Sequence, residues 1–216
     1  MCGRFVAPYS LAELRVAFGA AADEALELEP DYNVAPTDPV QVVRAPRGMR
    51  VVSTMRWGFA TAGRTPHINA RVETVLGKRA FRDAFLRRRC LIPAAGFYEW
   101  SKRRPYLIAP DDGGMLALAG LWEGEGHRLT CTILTTAANE VIRPLHDRMP
   151  VILHPDAWTG WLTGQDEQHL CDLVAAGDGA NLVTRPVSTA VNSVRNKGRE
   201  VLMSPESAPD QLTFDV

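Results

Sequence analysis

Cys2, which follows the initiator methionine, has the most distinctive chemistry in the sequence. A small residue at position 2 normally allows Met1 to be removed, so we expect the mature chain to begin at Cys2. An N-terminal cysteine carries a thiol with an ordinary pKa of about 8.5 and an α-amine with an ordinary pKa of about 7.7–8.0. Together they convert an aldehyde into a thiazolidine ring, or the thiol attacks a carbonyl with the amine as its base. A third interpretation is that Cys2 is only a small apolar residue at a buried position.

Three other segments place polar side chains where a core strand would be apolar. Asn69 and Arg71 would share one face of an extended strand, and so would His146 and Arg148. Glu99 stands between bulky aromatic residues, and burial there would raise the pKa of its carboxyl toward that of a general acid. Each pair or single residue is therefore a candidate chemical group.

These side chains also have ordinary structural interpretations. Glu99 is close in sequence to Lys102 and Arg103 and would form an ion pair with either. A single histidine such as His146 more often makes one hydrogen bond than acts in catalysis. The residues alone leave both interpretations open.

The composition is that of an ordinary globular protein. The 216 residues are 46% hydrophobic, so we expect a single domain over 1–216, with a loose tail over about 201–216. The formal net charge of −1 excludes a protein coated in positive potential. Arginines number 21 against three lysines. The arginine fork suits phosphate contacts, but a GC-rich genome produces the same bias.

Cysteine and histidine spacing argues against metals and disulfides. The four cysteines form no CxxC pair, and the five histidines form no HxxxH or HExxH pattern. We therefore expect no disulfide framework, no metal and no cofactor, and a reducing cytoplasmic location. No signal peptide and no membrane-spanning stretch is recognised, so no membrane association is expected.

The periodicity predicts an α+β fold built on antiparallel sheet, with a barrel-like core and peripheral helices. Short strand-like segments at hairpin spacing outnumber the helices. Ser10 and Glu13 have the spacing of a capping box, and Gly19 ends that predicted helix. A second helix is predicted from Lys78 to Arg89, with its last three arginines as a solvated final turn.

A set of short motifs, found together and in order, resembles the SOS response-associated peptidase family, also called abasic site processing proteins. The motifs are Cys2-Gly3-Arg4-Phe5, Tyr32-Asn33-Val34-Ala35-Pro36, Arg56-Trp57-Gly58, Ile68-Asn69-Ala70-Arg71-Val72-Glu73-Thr74, Cys90-Leu91-Ile92-Pro93-Ala94, Gly96-Phe97-Tyr98-Glu99-Trp100, His146-Asp147-Arg148-Met149-Pro150 and Val191-Asn192-Ser193. They extend from residue 2 to about residue 200 and so cover nearly the whole chain.

The resemblance implies that the protein acts on abasic sites in single-stranded DNA, whose ring-opened sugar exposes an aldehyde. Cys2 would trap that aldehyde as a thiazolidine and form a covalent DNA–protein crosslink. Glu99 would assist ring opening and imine formation, and His146 would transfer protons in strand cleavage or crosslink reversal. Asn69 would hold the N-terminus and the sugar. The family name also points to peptidase activity, in removal of Met1 or in self-cleavage.

The resemblance also implies a DNA-binding set. Phosphate contacts are expected from Arg4, Arg71, Arg148 and, more weakly, Arg79. Trp57 and Trp100 are expected to stack on bases, with core filling as the alternative for both. Three or four phosphate contacts at about 0.7 log units each predict a modest dependence of binding on salt. We expect a monomer located in the cytoplasm with the nucleoid.

Two other classes of function remain open from the sequence. Glutamine amidotransferases of the N-terminal nucleophile type also begin with Cys-Gly, although Arg4 stands where an aliphatic residue is expected. The other alternative is a non-catalytic reader of modified bases, in which Cys2 is incidental and Trp57 and Arg71 bind DNA.

Overall fold

The computed structural model describes residues 2–22, 27–61, 65–177 and 181–205. The strands are β1 (Phe5–Ala7), β2 (Ala21–Ala22), β3 (Asp31–Val34), β4 (Pro39–Arg44), β5 (Val51–Trp57), β6 (Asn69–Arg71), β7 (Arg89–Ala94), β8 (Gly96–Ser101), β9 (Arg104–Pro110), β10 (Leu116–Glu123), β11 (Thr130–Ala137), β12 (Arg148–Pro150) and β13 (Leu182–Pro186). The α-helices are α1 (Leu11–Phe18), α2 (Arg79–Arg87), α3 (Pro155–Thr163) and α4 (Glu167–Ala175).

Five strands close into a barrel. The larger sheet has the order β12-β11-β10-β7-β4-β5-β2, and β5 also pairs in parallel with β11. Because Arg56 lies opposite Thr130 and Trp57 opposite Cys131, the ring β4-β5-β11-β10-β7 is complete. The predicted α+β class with a barrel-like antiparallel core is confirmed.

A second, five-stranded antiparallel sheet has the order β13-β9-β8-β1-β3. Buried residues of β1 and β8 join those of the barrel strands in one core cluster, which includes Phe5, Met55, Phe97 and Ile133. The helices cover the barrel through a separate cluster that contains Phe85 and residues from every helix. The N-terminal strand β1 is thus a strand of the second sheet that packs against the barrel.

The first helix forms as its sequence predicts. The Ser10 hydroxyl accepts from Glu13 N, and the Glu13 carboxylate accepts from Ser10 N over 2.8 Å, which completes the capping box. Gly19 ends the helix with φ of 56°, a left-handed conformation that glycine adopts without strain. The predicted cap and stop are confirmed.

Arg89 does not belong to a solvated helical turn. It begins β7 and is 5% exposed, and its guanidinium donates to the backbone carbonyls of Phe85 and Trp161. Burial lowers the pKa of Arg89 to about 10. The prediction that Arg89 belongs to a solvated helical turn is wrong. Its guanidinium can be buried because it donates to carbonyls near the C-terminal ends of α2 and α3.

The chain turns sharply between β7 and β8. β7 lies in the barrel and β8 in the second sheet, with Ala95 between them. A Cβ atom on Gly96 would lie 2.6 Å from the Ile108 carbonyl oxygen, so the close approach of β9 requires glycine. This turn directs Glu99 toward the N-terminus of the chain.

The packed fold extends into the segment predicted as a tail. Val201 is fully buried in a cluster with Tyr98 and Val191. The rest of that prediction, residues 206–216, lies outside the described residues. None of the described helices is long and apolar enough to cross a membrane.

Candidate active site

Cys2 lies three residues before the start of β1 and is held close to Glu99 by strand pairing. Phe5 pairs with Phe97, and Tyr98 N donates to Arg4 O over 2.9 Å, so the same register continued places Gly3 opposite Glu99. The Cys2 side chain is fully buried. Burial and the negative charge of Glu99 raise the pKa of the Cys2 thiol well above its ordinary value. The thiol is therefore protonated at neutral pH.

Asn69, on β6, also contacts Cys2. β6 pairs in parallel with β11, which fixes Asn69 opposite Ile133. Its Nδ2 donates to the Cys2 carbonyl oxygen over 2.9 Å. Its Oδ1 is buried and accepts no hydrogen bond from the residues the structure describes. This oxygen is an unused acceptor beside the main chain of Cys2.

Glu99 is a buried carboxyl, 4% exposed, on β8. Burial raises the pKa of this carboxyl above its ordinary value, and the positive charge of His146 offsets part of that effect. A raised pKa moves a carboxyl toward the range in which it can act as a general acid. The electrostatic interaction also places His146 near Glu99.

His146 is oriented by its own main chain. Its Nδ1 accepts from Arg148 N over 2.9 Å, and Asp147 Oδ1 lies 2.8 Å from the same nitrogen. These two contacts exclude each other, because Nδ1 must be unprotonated to accept from Arg148 N and protonated to donate to the Asp147 carboxylate. The neutral ring accepts from Arg148 N and carries its proton on Nε2, whereas the protonated ring pairs with the Asp147 carboxylate. Nδ1 of His146 thus has one hydrogen-bond partner in either form of the ring, Arg148 N or the Asp147 carboxylate.

The guanidinium of Arg148 is already engaged. Its Nη1 and Nη2 donate to the two Glu73 carboxylate oxygens over 2.6 and 2.9 Å, and Nη2 also donates to the Thr135 carbonyl over 2.6 Å. The Arg148 side chain is 12% exposed. The sequence-based prediction that it binds phosphate therefore requires it to leave Glu73, which sequence reasoning did not assign to the site.

Arg71 and Arg79 differ in their relation to the site. Arg71 is exposed on β6, two residues from Asn69, and lies opposite Thr135 in the strand pairing. Arg79 is exposed at the start of α2, whose buried residues belong to the core cluster that does not contain Cys2. The structure thus brings Arg71, but not Arg79, to the strands that carry the site.

Arg4 and Trp100 form one unit. Arg4 Nη1 donates to Asn33 Oδ1 over 2.7 Å and to Val191 O over 2.9 Å, and its guanidinium lies 5.8 Å from the centre of the Trp100 ring. Trp100 is half-buried and donates from Nε1 to Asn192 Oδ1. Trp100 keeps exposed ring surface for a base, whereas Arg4 is partly committed to the scaffold.

Trp57 lies in the core and not on a binding surface. Its side chain is fully buried, and its ring centre is 5.1 Å from that of Phe5 in an edge-on contact. Its Nε1 donates to the Ile68 carbonyl over 2.9 Å. A base cannot stack on a ring without an exposed face, so the burial of Trp57 supports core filling, the alternative that the sequence left open, over base stacking.

Asn33 is a structural residue that sequence reasoning did not single out. It is fully buried, and its Nδ2 donates to the carbonyls of Val191, Ser193 and Asn196 over 2.9–3.2 Å. Asn33 and the Val191-Asn192-Ser193 segment both belong to the motifs that carry the family resemblance. That shared membership was the sequence feature that could have identified Asn33. Asn33 ties the loop after β13 to the residues that follow Cys2.

All four cysteines are free thiols. Among the described residues, no group of three or more His, Cys, Asp or Glu side chains is arranged to hold a metal ion. The candidate site holds the thiol of Cys2, the carboxyl of Glu99, the imidazole of His146 and the amide of Asn69.

Comparison with known proteins identifies the family. The profile of the SOS response associated peptidase (SRAP) family matches residues 1–194. The chain belongs to this family.

Its relatives and structural neighbours cover nearly the whole chain. It is 34% identical to the abasic site processing protein YoqW of Bacillus subtilis, over 94% of this chain and 100% of that protein. It is 28% identical to the abasic site processing protein YedK of Escherichia coli, over 94% and 99%. A Bacteroides thetaiotaomicron protein of known crystal structure shares the fold, with a TM-score of 0.77, 18% identity and coverage of 94% and 100%.

Proposed function

We propose that this protein captures abasic sites in single-stranded DNA as a covalent thiazolidine at Cys2, after Met1 has been removed. The observation that carries the proposal is that Asn69 and Glu99 both adjoin Cys2, with His146 next to Glu99. The relatives named abasic site processing proteins support the DNA lesion as substrate.

The chemistry balances with the loss of one water. The α-amine of Cys2 attacks the aldehyde carbon of the opened sugar, and the resulting carbinolamine loses water to form an imine. The thiol sulfur then adds to the imine carbon, and its proton passes to the nitrogen. The closed five-membered ring contains the sulfur, Cβ, Cα and nitrogen of Cys2 and the former aldehyde carbon.

The state of the thiol sets the order of these steps. Because the pKa of the buried Cys2 thiol is raised, little thiolate is present at neutral pH before the substrate arrives. The amine, which reacts when neutral, therefore attacks first. The protonated imine then places a positive charge beside the sulfur, which favours thiolate formation and ring closure.

The neighbouring side chains supply the proton transfers. Glu99, with its raised pKa, donates a proton to the departing water and to the ring oxygen of the closed sugar. His146 is the second proton carrier, for release of the crosslink or for strand cleavage by β-elimination. The unused Asn69 Oδ1 accepts from the α-amine and orients it.

Single-stranded DNA would lie along the exposed side of the site. Arg71 offers a phosphate contact, and Trp100 offers a partly exposed ring for a base. With a net charge of −1, affinity depends on this local surface and on the covalent bond.

Intact mass spectrometry tests the proposal. The protein is measured alone and after incubation with a single strand that carries one abasic site. The expected product has the mass of protein without Met1 plus DNA minus one water, and Cys2→Ala and a form that retains Met1 should not give it. No adduct despite a free Cys2 would overturn the proposal.

The matched variant Cys2→Ser distinguishes the carbon–nitrogen bond made by the α-amine from the carbon–sulfur bond made by the thiol. It keeps the amine, so cyanoborohydride should trap its imine with the same DNA, but without reductant it should give no stable adduct. Shortened DNA fragments on the same samples would report strand cleavage. Glutamine hydrolysis that depends on Cys2 would instead favour an amidohydrolase, and unchanged lesion binding by Cys2→Ala without an adduct would favour a passive reader.

A further inference from the structure

In the ion pair between Arg148 and Glu73, the carboxylate occupies the edge of the guanidinium that a DNA phosphate would need. Glu73 occupies the outer edge of the guanidinium, Nη1 and Nη2, with two hydrogen bonds of 2.6 and 2.9 Å. Arginine presents this same fork to phosphate, with the same parallel geometry. The carboxylate therefore stands where a phosphate would bind.

The two partners differ in exposure. The Glu73 side chain is 47% exposed, and that of Arg148 is 12% exposed. Glu73 lies in a turn of 3₁₀-helix, Val72–Thr74, directly after β6, whereas Arg148 also donates to the Thr135 carbonyl on the neighbouring strand. Glu73 is thus the partner that can swing into water, and Arg148 is the one fixed in place.

Glu73 is charged when it fills this position. Its hydrogen bonds with Arg148 lower the pKa of the carboxyl below its ordinary value. At neutral pH the pair is therefore an ionised carboxylate on an ionised guanidinium, and an incoming phosphate exchanges one anion for another.

We propose that Glu73 is a built-in competitor of DNA phosphate for the fork of Arg148, and that it lowers the affinity of the protein for undamaged strands. The inference rests on the proposed function, since it concerns the DNA that this site would encounter. Intact DNA must displace Glu73 to use Arg148 and then dissociates readily. DNA with an abasic site is retained by its covalent bond to Cys2, so the competition increases discrimination between damaged and intact strands.

The test is the non-covalent affinity for an undamaged single strand, measured by fluorescence anisotropy over a range of salt concentrations. Glu73→Gln should bind severalfold more tightly than wild type, and its log–log salt slope should be steeper by about 0.7, the value of one added phosphate contact. Glu140→Gln is the control for simple loss of charge, since Glu140 is exposed on the connection between β11 and β12. Glu140→Gln should leave the log–log salt slope of binding unchanged.

A double-mutant cycle shows whether the effect passes through Arg148. In an Arg148→Ala background, Glu73→Gln should change affinity no more than Glu140→Gln does. Circular dichroism verifies the fold of each variant. Glu73→Asp, which keeps the charge but shortens the side chain, is the second variant and should also bind more tightly than wild type.

Three results would overturn the inference. Glu73→Gln could match Glu140→Gln in affinity and slope, it could bind more weakly than wild type because Glu73 holds Arg148 in its binding geometry, or neither it nor wild type could bind DNA. The crosslinking assay is separate. Tighter binding of intact DNA by Glu73→Gln together with no covalent adduct in wild type would retain this inference and reject the proposed function.

Discussion

The side-chain amide of Asn69 donates a hydrogen bond to the backbone carbonyl of Cys2 across 2.9 Å, which joins residues 67 positions apart in the sequence. The bond fixes the main chain beside the thiol. It also leaves the buried Oδ1 of Asn69 with no donor among the described residues. The α-amine that Met1 removal creates would be such a donor.

Asn69→Ala should therefore slow crosslinking without unfolding the protein. Loss of one hydrogen bond to the reacting residue costs about 1 kcal/mol, so we expect single-turnover adduct formation to slow by about five- to tenfold. The rate is measured on denaturing gels with an excess of abasic-site DNA. Asn69→Asp is the matched control, because it keeps the acceptor but loses the donor to Cys2. Wild-type rates in both variants would exclude a positioning role.

Glu99 gives a prediction for stability as a function of pH. Because burial raises its pKa, the folded protein binds this proton more tightly than the unfolded chain does. The stability due to the protonated carboxyl is therefore present at low pH and lost as pH rises through the raised pKa. Glu99→Gln stays neutral, so its melting temperature should exceed that of wild type at about pH 8 and approach it at about pH 4.

Glu99→Gln should also form the DNA crosslink more slowly than wild type. Removal of a general acid slows proton transfer by about 100-fold or more. Glu123→Gln is the control, since burial also raises the pKa of this carboxyl, which lies on β10 outside the site. It should leave the crosslinking rate unchanged. An equal loss of rate in both variants would contradict the role of Glu99.

Much of the fold was predictable because its local signals are strong. The capping box at Ser10 and the helix stop at Gly19 depend on near neighbours in the sequence, and both predictions are confirmed. The break between β7 and β8 was not predictable from periodicity. It depends on the approach of Ile108 to Gly96, a contact between distant parts of the chain.

The site could be predicted as a set of residues but not as a network. Residue types and spacing identified Cys2 and Glu99 as chemical groups, while their proximity follows from the pairing of β1 with β8. Trp57 resembles a stacking platform in sequence, but the closure of the barrel buries it. The engagement of Arg148 by Glu73 likewise depends on the packing of β6, β11 and β12.

Asn33 should matter for stability more than its distance from the chemistry suggests. Its amide supplies three backbone carbonyls and accepts from Arg4, all in a fully buried position. Asn33→Ala leaves several of these groups unsatisfied and should cost about 2–3 kcal/mol, or about 5–10 °C in melting temperature.

Asn33→Asp is the informative partner variant. It retains an acceptor for Arg4 but turns the donors into an oxygen that faces three carbonyl oxygens. We expect a loss of stability at least as large as that of Asn33→Ala. Thermal unfolding followed by circular dichroism measures both, and an unchanged melting temperature in Asn33→Asp would show that the amide donors are not needed.

The two tryptophans of the predicted DNA-binding set should separate cleanly into one structural and one binding residue. Trp57→Ala removes a fully buried ring and should destabilise the fold by about 3–5 kcal/mol. Trp100→Ala removes a partly exposed ring and should cost less stability. It should also weaken non-covalent binding of single-stranded DNA by about 1–3 kcal/mol, the value of one stacked base.

Trp57→Phe makes this comparison decisive. It keeps most of the apolar volume but loses the Nε1 donor to the Ile68 carbonyl. The Trp57→Phe protein should therefore be folded, somewhat less stable than wild type, and equal to it in DNA affinity. Melting temperature and anisotropy on the same samples provide both values. Weaker DNA binding by a folded Trp57→Phe variant, with Trp100→Ala unaffected, would reverse the assignment and require Trp57 to leave the core when DNA binds.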